Sequence, residues 1–235
     1  MTRTLPDETE NVLGVLGGLG PAATVSFMSE VIEQTPAEKD QDHLEMVVYN
    51  DPKVPDRNYP EHRDDGGPLP RLIRNARRLE QAGADLIVIA SNTTHRYHGE
   101  IAAAVNVPVP NMITLVRRRM ESAGIRSLGV LTTTTAIDIS LFKQVFADSS
   151  VELVYPDDME RVMDSIYAVK SGDRERANAL IDGAVKELVA TDVEAILLGC
   201  TEFSALDREW TIEAIDPASV LAGYCIGVVQ SSKLE

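Results

Sequence analysis

The chain has only two cysteines in 235 residues, Cys200 and Cys225, too few for a disulfide framework. Long apolar runs are missing as well. Nothing approaches the roughly 20 residues of a membrane-spanning helix, so no membrane partner is expected. The first residues, Met1 to Asn11, carry Asp7, Glu8 and Glu10. They lack the basic start and apolar core of a secretory signal, which gives a cytoplasmic expectation. Basic charge is scarce: 22 Lys and Arg stand against 37 Asp and Glu, a net charge of −15. That balance argues against a nucleic-acid partner, whose phosphates demand a basic surface. The plainer reading of such a charge is a well-solvated surface. The apolar and charged fractions, 44% and 25%, are those of an ordinary globular protein. This length accommodates one large domain or two small ones.

What is present is an alternation of short apolar runs and helical periods. Leu86 to Ala90 is an unbroken apolar run of the kind found in buried parallel strands. It stops at Ser91-Asn92-Thr93-Thr94-His95. Ala195 to Leu198 repeats the pattern and stops at Gly199-Cys200-Thr201-Glu202. Val12 to Leu16 and Glu45 to Tyr49 read as strands. Gly17-Gly18-Leu19-Gly20 is a turn, and Pro21 opens a helix at its favoured first position. Arg71 to Ala82 is a helix stopped by Gly83, His95 to Val105 is helical, and Val107 to Pro110 is a short strand. The pattern then restarts, because Leu128-Gly129-Val130-Leu131 repeats Leu13-Gly14-Val15-Leu16 letter for letter. A threonine turn, Thr132 to Thr135, replaces the glycines, and a helix runs to about Phe146. Val151 to Tyr155 is a strand, Pro156 to Tyr167 passes into a helix, and Arg174 to Ala190 is a long amphipathic helix. Val220 to Gln230 is a last helix that returns to the first half.

This self-similarity reads as an internal duplication. The predicted fold is α/β with two pseudo-symmetric lobes, each a parallel four-stranded sheet flanked by helices. The lobes are residues 1–113 with 216–235, and residues 114–215. Strand ends from both lobes are aimed at the cleft between them, a preferred place for a small-ligand site.

Several residue types at these ends carry chemistry. A buried structural cysteine is the usual reading of a lone thiol, and it suits Cys225, mid-helix among apolar residues. Cys200 has polar neighbours at a strand end, which favours a reactive role. The threonines Thr93, Thr94 and Thr132 to Thr135 either cap strands or bind a carboxylate with help from backbone donors. Arg57 lies in a proline-stiffened irregular loop, and its planar fork suits a carboxylate. Lys170 reads as surface decoration or as a second carboxylate partner. Gly18-Leu19-Gly20-Pro21-Ala22-Ala23 formally matches a dinucleotide fingerprint. However, Pro21 removes a donor and no ribose-binding acid follows. A tight turn that lets a small anion approach a helix start is the simpler reading. His95 and His98 have no cysteine at metal-ligand spacing. Ser91 sits in no G-x-S-x-G elbow.

Together these motifs resemble the aspartate racemases of the aspartate/glutamate racemase superfamily. The resemblance runs through Gly17-Gly18-Leu19-Gly20-Pro21, Asn50-Asp51-Pro52 with Pro55-Asp56-Arg57, Ser91 to His95, the threonine turn, Gly199 to Glu202, and Ile215-Asp216. It implies an enzyme that needs no cofactor, pyridoxal phosphate included, acts on a small dicarboxylic amino acid and forms a homodimer. Two cysteines on opposite faces of the α-carbon would exchange its proton. Cys200 matches the second of these. Arg57 and Lys170 match positions gripping the side-chain carboxylate. Asn92, Thr93, Thr133 and Thr201 match the cradle around the α-carboxylate and ammonium.

The chain departs from the pattern at Ser91, where the family has its first cysteine. A serine hydroxyl titrates far above a thiol and is a poor base for a C–H without a dedicated partner. Two accounts are open. Ser91 replaces a cysteine by design, so that substrate binds without turnover, and the Leu234-Glu235 ending would fit a cloning scar. Alternatively Ser91 is natural, and a single thiol decarboxylates or isomerises a small dicarboxylate. A non-catalytic binder of acidic amino acids is a third class.

Overall fold

The computed structural model describes residues 11–56, 67–204, 206 and 208–231. In the first lobe β1 is Leu13–Gly17, α1 Pro21–Gln34, β2 Met46–Asn50, α2 Leu69–Gln81, β3 Leu86–Ile89 and α3 His98–Ala102. Helix α4, Met112–Ala123, leads into β4, Ser127–Leu131. Then come α5 Thr134–Asp138, α6 Leu141–Phe146, β5 Glu152–Val154, α7 Met159–Ser171 and α8 Arg174–Val189. The chain closes with β6 Ala195–Leu198, α9 Thr201–Ser204, β7 Ala214–Ile215 and α10 Pro217–Ser231. No helix among the described residues is long and apolar enough to cross a membrane.

The strands form two wholly parallel sheets, ordered β2-β1-β3 and β5-β4-β6-β7. Every residue of β1, β3 and β6 is buried. Their near-continuous apolar sequences are what a parallel strand covered on both faces requires. On one face of the first sheet, Leu13, Val15 and Val88 pack with Phe27 and Val31 of α1. Leu221, Cys225, Ile226 and Val229 of α10 join the same cluster, so the last helix returns to the first lobe. The opposite face is covered by Leu72, Ala76 and Leu79 of α2. The second sheet is sandwiched between α7 with α8 and α4 with α6.

Three details differ from the sequence reading. The first sheet has three strands among the described residues, not four. Where Val107–Pro110 was expected to be the fourth, one ladder bond survives, from the Ile87 N–H to the Pro108 carbonyl at 3.0 Å. Pro108 and Pro110 have no N–H to continue it. The second sheet gains its fourth strand from Ala214–Ile215. The helix expected to run on to Phe146 is broken between α5 and α6 at Ser140, whose φ is +53°.

The turn after β1 is held from within. Thr24 in the first turns of α1 accepts the Gly18 N–H at 2.8 Å and donates to the Gly20 carbonyl at 3.1 Å. Gly18 has φ +83°, and a Cβ there would stand 2.3 Å from the Asp51 backbone nitrogen. Asp51 itself is buried. It accepts two bonds from Arg71, at 2.7 and 2.8 Å, and one from Asn75 at 2.7 Å. Hydrogen bonding to Arg71, seconded by Asn75 and the Lys53 N–H, holds this carboxyl well below the usual carboxylate range despite its burial.

Two consequences can be measured. Gly18→Ala combines left-handed strain with a backbone clash and should cost about 2–5 kcal/mol in urea unfolding. Asp51 is depressed in the folded state. Its stabilisation is therefore present above the unfolded carboxyl pKa of about 3.9 and is lost as pH falls below it. The stability difference between the parent and Asp51→Asn should narrow as pH drops from neutral through that value.

Candidate active site

Register places the two strand ends at equivalent positions. Leu16 pairs with Ile89 across β1 and β3, and Leu131 pairs with Leu198 across β4 and β6. Ser91 and Cys200 each lie two residues beyond the last paired residue of their strand. Both are nearly buried, at 6% and 8% exposure. Both line the same cleft, of about 160 Å³. Leu19 and Gly20 from the turn after β1, Asn92 and Thr93 after β3, Thr133 after β4 and Lys170 near the end of α7 complete it with Thr201 and Glu202. A dry void on the order of 150 Å³ holds a benzene molecule, so this space matches a small acid in size.

All the expected site residues except one therefore line one cleft. The exception, Arg57, lies outside the described residues. Asn92 is the most telling of them. It is 4% exposed, and among the described residues neither its amide nitrogen nor its amide oxygen has a hydrogen-bond partner. An unpaired buried amide is costly, and this one stands at the cleft wall. Thr133 has a structural duty as well, because its hydroxyl accepts the Ala136 N–H at 3.2 Å and caps α5. Thr132 is fully buried behind the cleft, and its hydroxyl donates to the Gly199 carbonyl at 3.1 Å, tying the ends of β4 and β6 together. Asp216 lies outside this cleft and caps α10 through the Ala218 N–H at 2.8 Å.

The two ends differ chemically. The Cys200 thiol donates to Oε2 of Glu202 at 2.8 Å. Burial and then the Glu202 charge raise the Cys200 pKa well above the usual thiol value, and Lys170 opposes them. Lys170 Nζ is 3.5 Å from Oε1 of Glu202. Glu202 is thus a bridge between thiol and ammonium. The sequence reading quoted it in the motif but gave it no role. Its signal was a carboxylate two residues after the thiol on the same short helical turn.

On the other side, Ser91 Oγ accepts from the Thr94 hydroxyl at 2.9 Å. No carboxylate or imidazole is bonded to this hydroxyl among the described residues. His95 holds the backbone instead. Its Nδ1 lies 2.7 Å from the Ser91 carbonyl oxygen, and its Nε2 accepts the Met112 N–H at 3.1 Å. Burial pushes its pKa down to about 4, so the ring is neutral near pH 7. Among the described residues, no group of three or more His, Cys, Asp or Glu side chains is arranged to hold a metal ion.

Comparison with known proteins agrees with this geometry. The family described as Asp/Glu/Hydantoin racemase matches residues 16–225. The broad specificity amino-acid racemase RacX of Bacillus subtilis is 25% identical over 218 residues, covering 90% of this chain and 95% of its own length. The structure of Picrophilus torridus aspartate racemase superposes with a TM-score of 0.84 at 31% identity, covering 94% of each chain. Glutamate racemase RacE1 of Bacillus anthracis shares the fold, with a TM-score of 0.69 at 18% identity over 96% of this chain and 84% of its own. A parallel α/β protein with a thiol and a hydroxyl at matched strand ends over one small cleft, this chain belongs to the Asp/Glu/hydantoin racemase family.

Proposed function

We propose that the chain inverts an acidic amino acid, aspartate or glutamate, by proton transfer at the α-carbon, and that Ser91 limits the reaction. The observation that carries this is the shared cleft, with residue 91 on one strand end and Cys200 on the matched one. The side chains of the protein carry both transfers in this reading, so pyridoxal phosphate is not required. Asn92, Thr93, Thr133 and Thr201 hold the α-carboxylate and ammonium. Lys170 and Arg57 meet the side-chain carboxylate.

The hydrogen bonds support a division of roles in this reading. With its proton held between sulfur and Glu202, Cys200 is set up as an acid. To act as a base it gives that proton to the Glu202 carboxylate, and the resulting thiolate removes the α-proton. The carbanion then regains a proton either from Cys200, with retention, or from residue 91, with inversion. The Ser91 hydroxyl, bonded only to Thr94 among the described groups, is a weak acid and a weaker base. Inversion is the step that suffers. Loss of a positioned acid or base costs about 10²–10⁴ in rate, or roughly 3–5 kcal/mol of barrier.

Ser91→Cys should therefore raise inversion of aspartate or glutamate by about 10²–10⁴. The thiolate it introduces would accept the Thr94 hydroxyl. Chiral chromatography together with solvent-deuterium incorporation measures both outcomes. If Ser91→Cys gains nothing while the parent turns over a malonate or maleate, the single-thiol reading takes its place. Tight aspartate binding without turnover in either protein would point to a sensor.

The Glu202 bridge gives an independent test of the thiol. Removing its charge in Glu202→Gln favours the thiolate. The pH profile of iodoacetamide alkylation at Cys200, followed by peptide mass spectrometry, should move to lower pH. Lys170→Met removes the opposing cation and should move the profile to higher pH.

A further inference from the structure

His95 stands outside the cleft, yet it touches the backbone of the residue on which the proposed reaction turns. The ring is 5% exposed and lies four residues beyond Ser91. One protonation state satisfies both of its contacts. Because Nε2 accepts a backbone N–H, the ring proton sits on Nδ1 and is donated to the Ser91 carbonyl oxygen. The opposite tautomer would face the Met112 N–H with another N–H. The charged ring would do the same.

The far contact is not an ordinary one. Met112 is the first residue of α4, where backbone N–H groups have no acceptor within the helix. His95 takes one of these, and the Asn111 side chain takes that of Thr114 at 3.0 Å. Helix α4 also belongs to both lobes. Met112 packs in the core of the first, whereas Ile113, Val116 and Met120 pack in the core of the second. A single imidazole thus connects the turn carrying residue 91 to the helix that joins the lobe bearing it to the lobe bearing Cys200.

We propose that His95 is a positioning residue: by donating its Nδ1 proton to the Ser91 carbonyl, in the tautomer that the Met112 N–H at the start of α4 selects, it fixes the direction in which side chain 91 enters the cleft opposite Cys200. Holding that carbonyl fixes the peptide plane after Ser91, and with it the Cα–Cβ direction. Ser91 has a second restraint, its N–H to the Ile89 carbonyl at 2.9 Å, so both sides of the residue are tied. A displacement of about 1 Å at a reacting group can cost on the order of 10²-fold in rate. The ring therefore matters to the reaction without meeting the substrate. This part rests on the proposed function only for its kinetic readout.

The two contacts can be cut separately. In His95→Asn the side-chain amide sits near the place of Nδ1 and keeps the donor to the Ser91 carbonyl, while Met112 loses its acceptor. In His95→Gln the amide reaches the place of Nε2 and keeps the acceptor for Met112, while the Ser91 carbonyl loses its donor. The positioning role predicts that His95→Gln lowers kcat for α-proton inversion by about 10- to 100-fold with little change in KM. His95→Asn should stay near the parent in kcat even if its melting temperature falls. A role confined to helix capping or core filling predicts the reverse order, or equal losses in both.

A second readout needs no activity. With Ser91→Cys as background, the alkylation rate of the introduced thiol, resolved by peptide, should change in His95→Gln and hold in His95→Asn. If the background protein inverts neither aspartate nor glutamate, the racemase reading fails, and the alkylation comparison still decides the fate of His95. An unchanged alkylation rate in His95→Gln overturns the proposal. So does a ¹⁵N imidazole spectrum of the parent showing the proton on Nε2, a result that holds even if a variant fails to fold.

Discussion

Parallel pairing of strands buried on both faces is the constraint from which the site follows. With apolar side chains on both faces, such strands hold their register by close packing: a Cβ at Gly14 would stand 2.7 Å from the Ala84 Cβ, and one at Gly129 2.9 Å from the Leu188 side chain. The register Leu16 with Ile89, and Leu131 with Leu198, is therefore fixed by fit. Once it is fixed, the residues just past those ends emerge at the same level in each lobe. In the proposed reaction the chemistry depends on what stands at two positions, 91 and 200, and on what the neighbouring loops place around them. The leading turn at Gly18 and the cap at Thr133 are local solutions that bring further groups to the same edge.

Equivalence in place is not equivalence in electrostatics. Around Cys200 a carboxylate and an ammonium oppose each other, and the thiol proton is directed at Glu202. Among the described residues, Ser91 is bonded to a neutral hydroxyl on its side chain and to a neutral imidazole on its backbone. The duplicated framework thus carries two unlike half-sites. One holds charged groups beside its side chain, and the other, among the described residues, neutral ones.

Much of this was legible in the sequence because repetition and abrupt polarity changes survive without tertiary information. The repeated Leu-Gly-Val-Leu marked the two central strands. The change from apolar to polar at Ser91 and at Cys200 marked the cleft. What escaped depended on contacts between distant segments. The prolines at 108 and 110 argue against the strand expected at Val107–Pro110, since neither has an N–H for the ladder. Helix α4 went unassigned, although Asn111 at its start and Gly124, with φ +74°, at its end mark it. Spacing signals the contact of Glu202 with the thiol, but its pairing with Lys170 and the contact of His95 with Met112 join separate elements and are not legible in it.

The route of the chain also orders its assembly. Every strand of the second sheet lies between residues 127 and 215, a continuous segment that can close on itself. The first sheet is complete by residue 89, but one of its faces waits for Leu221, Ala222, Cys225, Ile226 and Val229. During synthesis the half made first is the half finished last, its apolar surface uncovered while some hundred and thirty residues are added. The final helix is the closing piece of the lobe that carries Ser91, and a chain cut before it would keep both strand ends while leaving the core beneath one of them open.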